Sequence, residues 1–201
     1  MGTKMSNVRK AIVTILSVFA LIVYAGHTFA AQTEDVTVTV TVRYISLQIV
    51  GASTYDFGVV GEGQSAVATS SIQVQNDGND TEDFSLQITG VPAVWTVEET
   101  AAAPGADEFK VYALFDDNGQ VPDGDGLDAT DYDEEDLVLQ SSSRNPSNPG
   151  PVNFYFDSGD ESGDEIPTTE SRYLWFMFTA PNPSSDYTQQ SITVTVSASV
   201  D

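Results

Sequence analysis

Gln32-Thr-Glu-Asp-Val-Thr-Val-Thr-Val-Thr-Val-Arg-Tyr-Ile-Ser-Leu-Gln-Ile-Val50 runs for 19 residues with neither Gly nor Pro. Extended at about 3.3 Å per residue, such a stretch reaches roughly 60 Å. That is about twice what one strand of a small domain uses, since strands seldom exceed about ten residues. Strict apolar and polar alternation marks a strand with one face covered. The apolar phase reverses on the way: Val36, Val38, Val40 and Val42 hold even positions, whereas Ile45, Leu47 and Ile49 hold odd ones. A slip of one residue turns every side chain to the other face, so the chain must change faces near Arg43-Tyr44. Two structures accomplish this. In one, a bulge or corner carries the strand from one sheet to another. In the other, the first part is an arm that leaves its own domain and adds a strand to the next copy, its four valines filling vacant core positions. Strand addition draws affinity from main-chain hydrogen bonds and specificity from alternate side chains.

Period-two alternation recurs through the remaining chain, and no stretch of a dozen residues carries a helical stripe. The pattern predicts strands over 36–42, 44–50, 55–60, 71–75, 84–89, 94–98, 109–115, 137–140, 152–156, 172–179 and 191–200. Turn signals such as Asn76-Asp-Gly78-Asn79 and Pro181-Asn-Pro183 separate them. About ten short strands imply an all-β domain, a β-sandwich of Ig-like or jelly-roll type. Phe109-Lys-Val-Tyr-Ala-Leu-Phe115 and Tyr173-Leu-Trp-Phe-Met-Phe178 are apolar at nearly every position, so both faces of these strands are expected to be covered. Trp175 and Trp95 read as core residues, with sugar-stacking platforms as the alternative.

The first 30 residues have the pattern of an export signal, with Lys4, Arg9 and Lys10 ahead of an apolar run from Ala11 to Ala25. Thr28-Phe29-Ala30 places the expected cleavage after Ala30. The alternative is a segment retained as an anchor or in a filament core. The expected organisation is thus a signal peptide at 1–30, an extended strand at 31–43 and one sandwich domain at 44–201. The secreted, extracellular product carries no membrane segment.

The 201 residues include 30 acids, 7 Lys or Arg, one His and no Cys, a net charge of −23. Once the export segment is removed, only Arg43, Lys110, Arg144 and Arg172 oppose the 30 acids, and the charge becomes −26. That balance repels phosphate backbones and excludes nucleic acid as a partner. Thiol chemistry, disulfides, multi-histidine metal centres and Ser-His-Asp catalysis are excluded by composition. No catalytic residue is expected. Glycoside cleavage by paired carboxylates is the best enzyme reading, but it needs partly buried acids with separated pKa values, and these acids lie in hydrophilic loops.

Ten acids fall within 116–136 and five within 157–165, so half of them occupy 30 residues. Oxygen ligands on a Gly-rich loop suit Ca²⁺, which accepts six to eight oxygens. Asp116, Asp117, Asp123, Asp125, Asp128, Asp131 and Glu134 are the candidate ligands. Their spacing matches an EF-hand loop only in part, because Leu127 and Asp128 stand where a ligand and a Gly belong. Asp157, Asp160, Glu161, Asp164 and Glu165 form a second candidate. The other reading of both loops is a solvated acidic surface. Asn79-Asp80-Thr81 is an N-glycosylation sequon, with Asn79 as acceptor.

An export signal, the Val/Thr tract, and Ile72-Gln-Val-Gln-Asn-Asp-Gly78 followed by Phe84-Ser-Leu-Gln-Ile88 together resemble filament subunits of the TasA and camelysin kind. The layout is also similar to archaeal bundling-pilus proteins. The resemblance implies a jelly-roll-like domain that receives the N-terminal strand of a neighbouring copy, giving an extracellular homopolymer. The donor role falls on Val36, Val38, Val40 and Val42. A monomeric secreted or cell-surface binding module is the alternative.

Overall fold

A computed structural model describes residues 34–119, 127–146, 154 and 163–200. The export segment lies outside these residues, as does the expected strand 152–156 apart from Phe154. Contacts divide the chain into Met1–Thr41 and Val42–Asp201. In the first unit, residues 34–41 form no strand and are exposed.

The second unit is all-β. Its strands are β1 (Leu47–Val50), β2 (Ser65–Val67), β3 (Ile72–Asn76), β4 (Asp83–Gly90), β5 (Thr96–Val97), β6 (Glu108–Asp116), β7 (Ser171–Thr179) and β8 (Thr193–Ser199). No helix among the described residues is long and apolar enough to cross a membrane.

The larger sheet has the order β1-β3-β7-β6-β5, and β2 pairs with β7 beyond the end of β3. Among the described residues the smaller sheet contains β4 and β8. The expected central strands are β6 and β7, paired antiparallel from Lys110↔Thr179 to Asp116↔Tyr173. Their continuous apolar sequence has a direct cause: both faces are covered. One face carries Phe109, Val111, Ala113 and Phe115 beside Leu174, Phe176 and Phe178. It packs toward β4, where Phe84 and Phe115 lie 6.2 Å apart between ring centroids. On the other face, Tyr112 meets Tyr132 edge-on at 6.3 Å. Trp175 is buried, as expected of a core residue, and Trp95 stacks on Phe178 while its indole N–H donates to Ser184 Oγ at 3.2 Å.

Residues 136–144 join the sheets along one side. Ala113 N–H donates to Asp136 C=O and Val138 N–H to Val111 C=O beside β6, after which Leu139 and Arg144 accept from Ile88 and Leu86 of β4. This stretch, expected as a strand at 137–140, is a crossing between sheets instead, because its hydrogen-bond partners change after Val138. The opposite side is different. The larger sheet there extends through β3 to β1, whereas the last strand of the smaller one among the described residues is β8. The side chains of Leu47, Ile49, Ile72, Ile192, Val194, Val196 and Ala198 pack on the core yet remain only partly covered.

Candidate functional site

Two features carry unsatisfied apolar surface, the valine tract and the outer side of β8. Val36, Val38, Val40 and Val42 are 85%, 84%, 85% and 75% exposed. Single exposed apolar residues are ordinary in proteins, but four in alternation are a continuous apolar stripe. β8 presents the complementary situation. Along it Thr193, Thr195 and Ser197 are exposed, and Val194, Val196 and Ala198 are half-buried. Among the described residues no strand pairs with its outer edge, and an unpaired edge is a template for another strand.

The root of the tract is fixed by the turn between β3 and β4. Asn79 Nδ2 donates to Val42 C=O at 2.8 Å, and Asn79 Oδ1 accepts from Tyr44 N–H at 2.7 Å. Asn79 N–H donates to Tyr44 C=O at 2.9 Å, and Asp77 N–H to Ser46 C=O at 3.1 Å. Arg43 forms an ion pair with Asp80. Gly78 makes this approach possible, because a Cβ there would lie 2.6 Å from Tyr44 C=O and collide with Glu82 Oε1. These contacts explain why β1 begins only at Leu47: residues 44–46 bond to a turn in place of a strand. The sequon residue Asn79 is exposed, but its amide already holds the root of the tract.

Beneath the root lies Glu82, fully buried, with Oε1 accepting from Ser46 N–H at 2.8 Å. Its Oε2 has no hydrogen-bond partner among the described residues. Burial pushes the carboxyl above its ordinary value, Ser46 opposes that shift, and the charges of Asp77 and Asp80 add to it. A raised carboxyl pKa means that the folded state binds a proton more readily than the unfolded state. Its stabilising contribution is therefore complete below the ordinary value near 4.5 and is lost as pH rises through the raised one. We expect Glu82→Gln to flatten that loss, since the amide keeps an acceptor for Ser46. Melting temperatures measured from pH 4 to pH 8 would check this, and an unchanged slope would refute it. Asp116 shifts the same way through burial, although it accepts from the N–H groups of Asp117, Asn118 and Gly119, and its share is common to both proteins.

The candidate calcium ligands separate. Asp123 and Asp125 lie outside the described residues. Asp116 is buried at the end of β6, while Asp117 is exposed beside it. Asp128 Oδ1 accepts from Thr130 N–H at 2.6 Å, and Asp131 Oδ2 accepts from Asp128 N–H at 2.5 Å, so these two carboxylates close a turn. Glu134 is exposed, and its backbone C=O accepts from Arg144 Nη1. Of the second candidate, Asp157, Asp160 and Glu161 are outside the described residues, whereas Glu165 N–H donates to Asp83 Oδ1. Among the described residues, no three His, Cys, Asp or Glu side chains are grouped to hold a metal ion.

No family model matches the chain, and no curated protein matches it. The functional reading therefore rests on the residues themselves. Those that sequence reasoning missed are Glu82 and Asn76, both fully buried. Asn76 Nδ2 donates to Asp80 C=O and Ile166 C=O, while its Oδ1 accepts from Gly78 N–H. The signal available was the density of polar residues in Asn76-Asp-Gly-Asn-Asp-Thr-Glu-Asp83, which reads as a solvated turn unless something is known to pack upon it.

Proposed function

We propose that this chain is the repeating subunit of an extracellular fibre, in which residues 36–42 of one copy complete the fold of the next. The observation that carries the reading is the coexistence of a long exposed apolar stripe with a smaller sheet that has, among the described residues, two strands over a partly covered core. Each supplies what the other lacks: the tract needs a surface for four valines, and the core needs another strand. The acidic surface supports the same reading, because a net charge of −26 without residues 1–30 discourages sideways association of copies while the uncharged tract escapes that repulsion. Export is inferred from the basic and apolar pattern of residues 1–30.

The test is electron microscopy and sedimentation of the chain beginning at Ala31, across a range of concentrations. Fibres of uniform width are expected. A protein that stays monomeric at high concentration, with a cooperative melt, would overturn the fibre reading in favour of a monomeric surface module.

A further inference from the structure

Backbone directions identify which groups of β8 are open. Phe84, Leu86 and Ile88 send their N–H groups away from β8, to the carbonyls of Gly163, Arg144 and Leu139. Asp83, Ser85 and Gln87 consequently face β8, opposite Ser199, Ser197 and Thr195. Since backbone groups alternate along a strand, the N–H and C=O groups of Val194, Val196 and Ala198 point outward. Their side chains are also the ones that face the core. The outward edge and the vacant apolar positions therefore belong to the same three residues.

The position of the tract's root decides what a strand added there would build. Arg43 and Val200 line one cleft, together with Asp80, Asp83 and Glu165. Each copy's own tract thus begins near the Val200 end of its β8. A tract that enters antiparallel to β8 brings its Val42 to the far end, near Thr193. The Val200 end of one copy then meets the Thr193 end of the next, and the series stays open. A parallel entry would bring two Val200 ends together and let two copies exchange tracts in a closed pair.

Resting on the fibre reading above, we propose that the tract of one copy enters antiparallel along the outer edge of β8 of the next. Val42 lies opposite Val194, Val40 opposite Val196 and Val38 opposite Ala198. This register places every valine on the core side. It places Thr41, Thr39 and Thr37 beside Thr195, Ser197 and Ser199 on the outer side, where Thr89 and Thr195 already share a hydroxyl hydrogen bond of 2.7 Å. The lengths agree, seven residues in 36–42 and seven in 194–200. Neither segment contains a charged residue, in a chain where 30 acids would make most other contacts between copies repulsive. Antiparallel entry also continues the pairing sense of β4 with β8, and antiparallel ladders are slightly the more stable.

The chain contains no Cys, so introduced pairs report without background. Thr41 and Thr195 form a non-hydrogen-bonded pair in the proposed register, the kind whose Cα atoms lie close enough, about 4.5 Å, for a disulfide. Thr41→Cys with Thr195→Cys should give, on mild oxidation, a ladder of linked multimers on a non-reducing gel. Thr41→Cys with Ser199→Cys, the pair that parallel entry aligns, should stay unlinked. Linkage of the second pair stopping at dimers would overturn the proposal. So would fibres in the microscope with neither pair linked, which leaves strand donation standing but moves it to another edge or register. Absence of both fibres and links would remove the fibre reading itself.

Discussion

Val38→Asp combined with Val40→Asp should abolish fibres while leaving the subunit as stable as before. Both valines are about 85% exposed in the single chain, at 84% and 85%, and exposed substitutions away from special features alter stability by no more than about 0.5 kcal/mol. The assembled state differs. Fully burying a valine contributes on the order of 1.5–3 kcal/mol, so two lost valines remove roughly 3–6 kcal/mol from the joint. Two carboxylates without partners in an apolar groove add a desolvation penalty of several kcal/mol. Since about 1.4 kcal/mol is tenfold in affinity, association should weaken by more than about a thousandfold. Sedimentation and micrographs would measure assembly, and a thermal melt would measure the fold. Persisting fibres would sink the assignment of the tract as donor. A melting temperature lowered by many degrees would show that the tract is instead a structural strand of its own domain.

Phe115→Ala should have the largest effect on the fold. The ring is fully buried and lies between the sheets, 6.2 Å from Phe84 of β4 and 6.4 Å from Phe154 between centroids. A Cβ on Gly163 would come within 2.8 Å of the same ring, so the space is filled on that side too. Removing a buried phenylalanine costs about 3–5 kcal/mol, part transfer and part cavity. In a domain of this size each kcal/mol lowers the melting temperature by roughly 2–4 °C, giving a drop of roughly 6–20 °C. Circular dichroism would follow it, and a shift under about 3 °C would show that the ring does not join the two layers. The two variants separate the two properties: one stops assembly without unfolding, and the other unfolds without touching the tract.

The alternation of the sequence is sufficient to find β3, β4, β6, β7 and β8, because each of them covers at least one face, β8 in part, and its residues show it. It failed where tertiary contacts decide. Residues 55–60 alternate as a strand does, but Gly58 adopts a positive φ of 66° and the aromatic pair packs directly, with Phe57 5.8 Å from Phe178 between centroids. β2 went unread, since Ser65-Ala-Val67 is too short to show a period and exists by pairing with β7. The excess length and phase reversal of 32–50 are legible in the sequence alone. The open edge of β8 is not legible in the sequence, because it alternates like any half-buried strand and only the strand order reveals that no strand pairs there among the described residues. Glu82 and Asn76 are hidden for a related reason: burial of a polar turn depends on what packs against it, here Ser46 at Glu82 and the Ile166–Glu170 stretch at Asn76.

The half-covered row of Val194, Val196 and Ala198 has a consequence for how stability should be quoted. A partner that binds the folded chain and not the unfolded one stabilises it by mass action, about 2.7 kcal/mol when present at one hundred times its dissociation constant. On the fibre reading the partner is another copy of the same chain. The melting temperature is then a function of protein concentration rather than a constant of the molecule, and dilution alone would lower it.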